Sequence, residues 1–296
     1  MTRPTADLAS IGRYKILGLL GSGGMADVYV AARPEGGAVA IKLLHRELVD
    51  DAGARMRFLQ EARIIHRVRH PNIIGISDVG QLLGGRLYLV LELLRGQTLA
   101  QRLAASRISP LLAIDIVRQV GAGLAAAHAA GVYHRDLKPD NIFLVGAASD
   151  PVRVKILDWG AAWTARDDSV RLTADGLVVG TPLYMAPEQA CGRAADARTD
   201  VYALGTVAYE MFLESPPFAS SNRVAVMYRH MCDPPPAPSS LWPGIPLVLE
   251  SVLLGMLSKV PEERPALDVV DAALALAANE IWRRVARSAT PVTHVR

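Results

Sequence analysis

Six residues able to handle protons, phosphate or metal fall within eight positions of the stretch VYHRDLKPDNIFLV (132–145): His134, Arg135, Asp136, Lys138, Asp140 and Asn141. A solvated turn is the usual fate of such a charge run, and the apolar flanks on both sides raise the alternative of a segment pinned against a core. A second such group is ILDWG (156–160), where Asp158 follows another apolar run and a tight turn ends in Gly160. Asn141 and Asp158 offer hard oxygen donors of the kind Mg²⁺ takes alongside water and substrate phosphates. Asp136 then stands free as a proton acceptor, and Lys138 beside it can neutralise phosphate charge. Upstream, Lys42 lies in the apolar run VAIK, where an ammonium is costly to bury without a counter-charge. Glu61, nineteen positions later on an expected helix, is the candidate partner. If the two are buried together, deleting either costs about 3–5 kcal/mol. GSGGMADV (21–28) is a glycine-rich turn that lets backbone N–H groups approach phosphate oxygens. Its position between two strands argues against a dinucleotide fold or a Walker loop, whose glycines lead into a helix.

The elements that must position these groups can be read from periodicity. From Tyr14 to Leu94 short β-rich runs dominate (YKILGLLG, VYVAAR, AVAIKLL, RLYLVLELL), each bounded by Gly, Pro or polar clusters. One helix interrupts them between Asp50 and Arg69, with Met56, Leu59, Ile64 and Val68 at helical intervals and Pro71 closing it. Beyond RGQTL (95–99) the pattern turns helical, as in 110–131, where Pro110 suits a first turn and Gly131 a stop. DPPPAPSSLWPGIP (233–246) is expected to be a connecting loop and LVLESVLLGML (247–257) a buried helix. The tail RRVARSATPVTHVR is basic and expected to be loose.

Composition sets bounds on function. The 296 residues suffice for one large domain or two lobes sharing a cleft, and 51% hydrophobic with 21% charged residues is ordinary globular usage. A net charge of +3 lacks the basic footprint of a dedicated nucleic-acid binder, so small or protein substrates come first. Cys191 and Cys232 give no disulfide framework, fit a reducing cytoplasm, and are expected simply to pack inside. The N-terminal residues lack a signal peptide's apolar stretch, and no run approaches the roughly 18 apolar residues of a membrane span.

Taken together these segments resemble the eukaryotic-type protein kinase family, in its bacterial serine/threonine branch. Seven landmarks stand in the family's order: the glycine loop, VAIK, helix Glu61, HRDLKPDN, DWG, GTPLYMAPE and DVYALG. The resemblance runs from about Tyr14 to Ala278 and implies an α+β bilobal fold. Residues 12–94 would form a small antiparallel-sheet lobe with one helix, 95–278 a larger, mainly helical lobe, and 279–296 a basic tail. It implies ATP and Mg²⁺ as cofactors and Ser or Thr hydroxyls of proteins as acceptors, Lys138 marking the serine/threonine branch. Gly21, Gly23 and Val28 would cover ATP, Lys42 would hold its α and β phosphates, and Glu61 would orient Lys42. Asp136 would accept the acceptor's proton, and Asn141 and Asp158 would hold Mg²⁺. Ala40 and Phe143 would sandwich adenine, Glu92 and Leu94 would meet it through the hinge backbone, and Leu91 would be the gatekeeper. Glu188 would pair with Arg264. Such an Arg135 often pairs with a phosphate on the activation segment (158–188), Thr173 first and Ser169 second, while Thr181 hydrogen-bonds near Asp136 and Lys138.

Two positions depart from the family pattern. Ala26 replaces a loop glycine and is expected to stiffen the loop, and Trp159 replaces the usual Phe with a larger ring. The competing reading is an inert nucleotide-binding scaffold; a small-molecule kinase of related fold is disfavoured by GTPLYMAPE. His66 and His70 stand four apart with no third metal ligand and are taken as an ordinary helix end. Bacterial relatives often continue into a membrane span and external sensor, so the chain is expected to be a soluble form or an excised cytoplasmic domain, with pairing through the small lobe as one assembly.

Overall fold

In AVAIKLL every position but the lysine is apolar, a pattern that requires cover on both faces of the strand. The computed structural model, which describes residues 9–146, 151–161 and 182–289, supplies that cover. Ser10–Ile11 (β1), Tyr14–Ser22 (β2), Ala26–Ala32 (β3) and Ala38–Leu44 (β4) precede the helix Ala52–Arg67 (α1), which Ile76–Gln81 (β5) and Leu87–Glu92 (β6) follow. They form an antiparallel sheet in the order β1-β2-β3-β4-β6-β5. Val39, Ile41 and Leu43 pack on one face with Tyr14, Tyr29 and Tyr88, while Ala40 and Leu44 join the core that includes Phe58 and Ile65 of α1. A strand's period of two therefore puts Lys42 on the α1 side, directly opposite Val28 in the β3–β4 register.

α1 starts where Asp51 accepts the Ala54 N–H at 2.9 Å, an N-cap that satisfies one orphan donor. Its buried stripe is Ala54, Phe58, Glu61 and Ile65, in steps of four, three and four, so a carboxylate occupies a core position. Of the stripe expected from the sequence, Ile64 and Val68 are buried, but Met56 is 64% exposed and Leu59 only half-buried. The helix ends at Arg67, leaving His70 beyond it. The connection onward to β5 is fastened to the second lobe. Asn72 O accepts the Ile156 N–H at 2.7 Å, Ile74 N–H donates to Ile156 O at 3.1 Å, and Asn72 Nδ2 donates to Val154 O at 3.0 Å.

The second lobe begins with Gly96–Thr98 (β7), Leu99–Ala105 (α2) and Pro110–Ala129 (α3), followed by the hairpin Ile142–Val145 (β8) and Arg153–Ile156 (β9). β7, β8 and β9 make a small antiparallel sheet. Pro187–Ala190 (α4), Ala197–Leu213 (α5), Arg223–Cys232 (α6), Pro238–Leu241 (α7), Leu247–Met256 (α8) and Leu267–Ala289 (α9) complete it. The architecture is the expected bilobal α+β one. By length and composition α3 could cross a membrane, which the sequence reading had missed; here its Ile114, Val117, Val120 and Leu124 are buried in the core. Three local expectations are corrected. The proline-rich 233–246 contains the short α7, because Pro238 at its first position needs no N–H partner. α9 continues through Arg283, Arg284 and Arg287, so the basic tail is helical as far as Ala289, its amphipathic pattern outlasting the expected end. Cys191 and Cys232 are both exposed, each at the end of a helix facing solvent.

Candidate active site

The buried carboxylate in the α1 stripe meets the lysine of β4. Lys42 Nζ donates to Glu61 Oε1 at 2.8 Å and Oε2 at 2.7 Å, and lies 3.3 Å from Asp158 Oδ1. The Glu61 side chain is 2% exposed and that of Lys42 14%. Burial disfavours the ammonium, but the Glu61 and Asp158 carboxylates outweigh it and hold Lys42 above its ordinary range. Burial likewise pushes the Asp158 carboxyl up, and Lys42 reverses this, leaving it below the usual carboxylate range.

The opening cluster of the sequence forms a loop clamped from beneath. Val132, Leu137 and Ile142 are its buried anchors. Asp200, fully buried in the first turn of α5, accepts the His134 N–H at 2.8 Å and the Arg135 N–H at 2.7 Å through its two oxygens, with His128 Nε2 at 2.8 Å. An anion at that helix end is also favoured by the helix dipole. The clamp bends the chain enough that Arg135 takes φ +64°, while Gln189 Nε2 donates to its carbonyl at 2.8 Å. Asp136 then emerges with Lys138 Nζ at 2.6 Å from Oδ2, and Asn141 Nδ2 reaches the Asp136 carbonyl at 2.8 Å and Oδ2 at 3.3 Å. Among the described residues Oδ1 has no hydrogen bond, so one carboxylate oxygen faces the cleft unspent. A recess of about 40 Å³ opens here between Arg135, Asp136, Lys138 and Tyr184. Larger cavities lie off the cleft: about 390 Å³ between α2 and α5, and about 470 Å³ behind β5.

The β8–β9 hairpin brings the second oxygen pair together. Ile142 pairs with Ile156, and the Leu157 N–H donates to the Asn141 carbonyl at 2.8 Å, so Asn141 and Asp158 flank one end of the same ladder. Asp158 also sits at positive φ, +53°, a conformation costing a residue with a Cβ roughly 1–3 kcal/mol. The donor set fits Mg²⁺: Asn141 has spent its amide nitrogen on Asp136, which leaves the oxygen, and Asp158 is ionised and 49% exposed.

Residues 14–275 match the family described as the protein kinase domain. This chain belongs to the protein kinase family. The serine/threonine-protein kinase Pkn1 of Myxococcus xanthus is 41% identical to this kinase over 259 residues, 86% of the chain and 36% of that protein. PknE of Mycobacterium tuberculosis is 38% identical over 306 residues, 99% of the chain and 53% of that protein. The crystal structure of the Mycobacterium tuberculosis PknI kinase domain superposes with a TM-score of 0.68 at 26% identity, covering 90% of this chain and 97% of that one. The chain spans between 36% and 53% of the length of these curated relatives. It falls with the bacterial serine/threonine-protein kinases.

In this kinase the expected nucleotide residues fall on neighbouring elements. Gly21 pairs with Val28, and Gly23 closes the turn by donating to the Ala26 carbonyl at 2.9 Å. Val28, Ala40 and Lys42 share one face of β3 and β4; Leu91 is buried on β6, and Phe143 is half-buried on β8. The Glu92 N–H is spent on the Gly75 carbonyl at 3.0 Å, so any adenine contact there falls to its carbonyl; Leu94 follows just beyond β6. Glu188 and Arg264 form a buried bidentate pair at 2.7 and 2.8 Å. Thr173, Ser169 and Thr181 lie outside the described residues. Sequence reasoning gave no role to Asp200 or to His134, whose Nε2 lies 2.9 Å from Leu157 O and so ties the two loops together. The motif DVYALG contained Asp200, and a charge opening an otherwise apolar helix was the available signal.

Proposed function

We propose that this domain transfers the γ-phosphoryl group of ATP to Ser or Thr hydroxyls of protein substrates. The observation that carries this reading is the Lys42–Glu61–Asp158 contact facing a loop where Asp136, Lys138 and Asn141 converge. Phosphoryl transfer asks for little covalent help from protein; it depends on positioning and on stabilising charge. Lys42, fixed by Glu61, holds the α and β phosphates. Gly21, Gly23 and Val28 roof them, and Ala40, Phe143, Glu92 and Leu94 seat the base. Asp136 Oδ1 orients the acceptor hydroxyl and takes its proton, while Lys138 offsets charge on the transferred group. Asn141 and Asp158 would hold Mg²⁺, which when bound supplies charge neutralisation at the phosphate oxygens. Phosphorylation of Thr173 or Ser169, read through Arg135, would regulate the domain, adding a charge of about −1.5 to −2. Cytoplasmic placement and pairing through the small lobe complete the proposal.

The test is phosphate incorporation from labelled ATP with Mg²⁺. The unmodified chain should phosphorylate a Ser/Thr protein substrate, and Asp136→Asn should lose at least about 10²-fold in rate, as removal of a general base does. Nucleotide binding without transfer by both proteins would instead make the domain a scaffold.

A further inference from the structure

Behind the hinge, on the side of the small lobe away from the glycine loop, the cavity of about 470 Å³ is of small-ligand size. Its floor is apolar, with Ile65, Val68, Ile73 and Ile74 buried. Its rim carries Arg33, His66, Arg69, His70 and Lys155, against the single carboxylate of Glu92. That carboxylate is already committed: Glu92 Oε1 accepts from Lys155 Nζ at 2.6 Å and from the Gly75 N–H at 2.6 Å. Lys155 also donates to the Ile73 carbonyl at 3.2 Å, which leaves one of its three protons unspent. Arg33 donates to Ser77 Oγ at 3.2 Å, and neither Arg33 nor Arg69 has an ion pair among the described residues. His70 Nδ1 accepts the Asn72 N–H at 3.2 Å, which makes Nε2 the protonated nitrogen and a donor. Arg33 and His70 are both half-buried.

We propose that this cavity binds a small phosphate monoester with an apolar or aromatic body, at a site separate from the ATP cleft. The body lies on the isoleucine floor, and the phosphate takes the unpaired guanidinium donors, whose fork geometry suits it. Lys155 adds its remaining donor from the wall shared with the hinge. His66 and His70, too few for a metal site, thereby find a common purpose as donors to an anion.

The probe is 1-naphthyl phosphate, titrated by its own fluorescence. Saturating ATP with Mg²⁺ should not displace it from the unmodified protein, since the cleft is not involved. Arg33→Ala/Arg69→Ala should weaken binding roughly tenfold or more with little change in melting temperature, because Arg69 is exposed and half-buried Arg33 gives up one exposed hydrogen bond to Ser77 Oγ. 1-Naphthol, lacking the phosphate, should bind no differently to the double variant. Unchanged affinity in that variant, or displacement of the probe by ATP, overturns the proposal. Vesicles containing phosphatidic acid should not float the protein; flotation that depends on Arg33 and Arg69 would assign the cavity to a lipid headgroup and overturn the soluble ligand.

Discussion

Trp159 carries a cost that a phenylalanine at its position would not. Its ring is fully buried, edge-on to His134 with centroids 4.7 Å apart, and among the described residues its indole N–H has no hydrogen-bond partner. A buried donor left unpaired costs about 1–3 kcal/mol, while trimming the ring forfeits apolar contact of comparable size. The two oppose each other, so Trp159→Phe should shift the unfolding free energy by less than about 1 kcal/mol in urea titrations. A loss of about 3 kcal/mol or more would show that the N–H is satisfied after all. That a larger ring occupied this position was legible in DWG; which way it acts was not, because the answer depends on His134, twenty-five positions away in sequence. Asp136, Lys138 and Asn141 were legible for the opposite reason: their spacing is local, and one short loop suffices to bring them together.

Among the elements, α6 is tied to the chain at Leu183 by one histidine. His230 is fully buried; Tyr202 OH lies 2.9 Å from Nδ1, and Nε2 lies 3.0 Å from the Leu183 carbonyl. The carbonyl can only accept, so Nε2 carries a proton, while Tyr202 OH, which accepts from Lys259 Nζ at 3.1 Å, donates its own proton to Nδ1 of the neutral ring. Burial first, then the Lys259 ammonium, push its pKa down to about 4. An unfolded histidine titrates near 6.5, so between those values the unfolded state binds the extra proton. Stability from this residue is therefore present above about pH 6.5 and drains away as pH falls toward 4, reaching on the order of 3 kcal/mol. Melting temperatures of the unmodified protein and His230→Gln should converge as pH drops from 7 to 4.5. Parallel curves would exclude the imidazole as the titrating group. The role of this histidine was not readable from the sequence, since Leu183 and Tyr202 reach it only through tertiary packing. In α1 the helix and Glu61 followed from pattern, but the first half of its stripe was misplaced, because a carboxylate, Glu61, occupies a core position and breaks the apolar spacing that starts at Phe58.

At the scale of the whole molecule, the helical lobe is locked by Glu188 and Arg264. Arg264 also donates to the Arg198 carbonyl at 2.8 Å and the Ser258 carbonyl at 3.0 Å, and Thr199 Oγ1 donates to Glu188 at 2.7 Å. Arg264→Met strands a buried carboxylate and should cost about 3–5 kcal/mol in unfolding free energy. Adding Glu188→Gln should return part of that loss; a further loss instead would mean that packing, not charge, governs the site. The two-lobed plan was legible because strand-like periodicity gives way to helix-like periodicity beyond RGQTL (95–99). The fastening of the lobes by Asn72 and Ile156 was not, since backbone hydrogen bonds leave no mark in side-chain pattern. That fastening makes α1 a lever with its fulcrum beside its last turn. At 1.5 Å per residue, Glu61 stands about 9 Å from the Arg67 end and Ala52 about 22 Å. A swing that parts Glu61 from Lys42 by about 2 Å thus carries the tip of the helix through about 5 Å, magnifying a small change at the ion pair into a broad one at the rim of the small lobe.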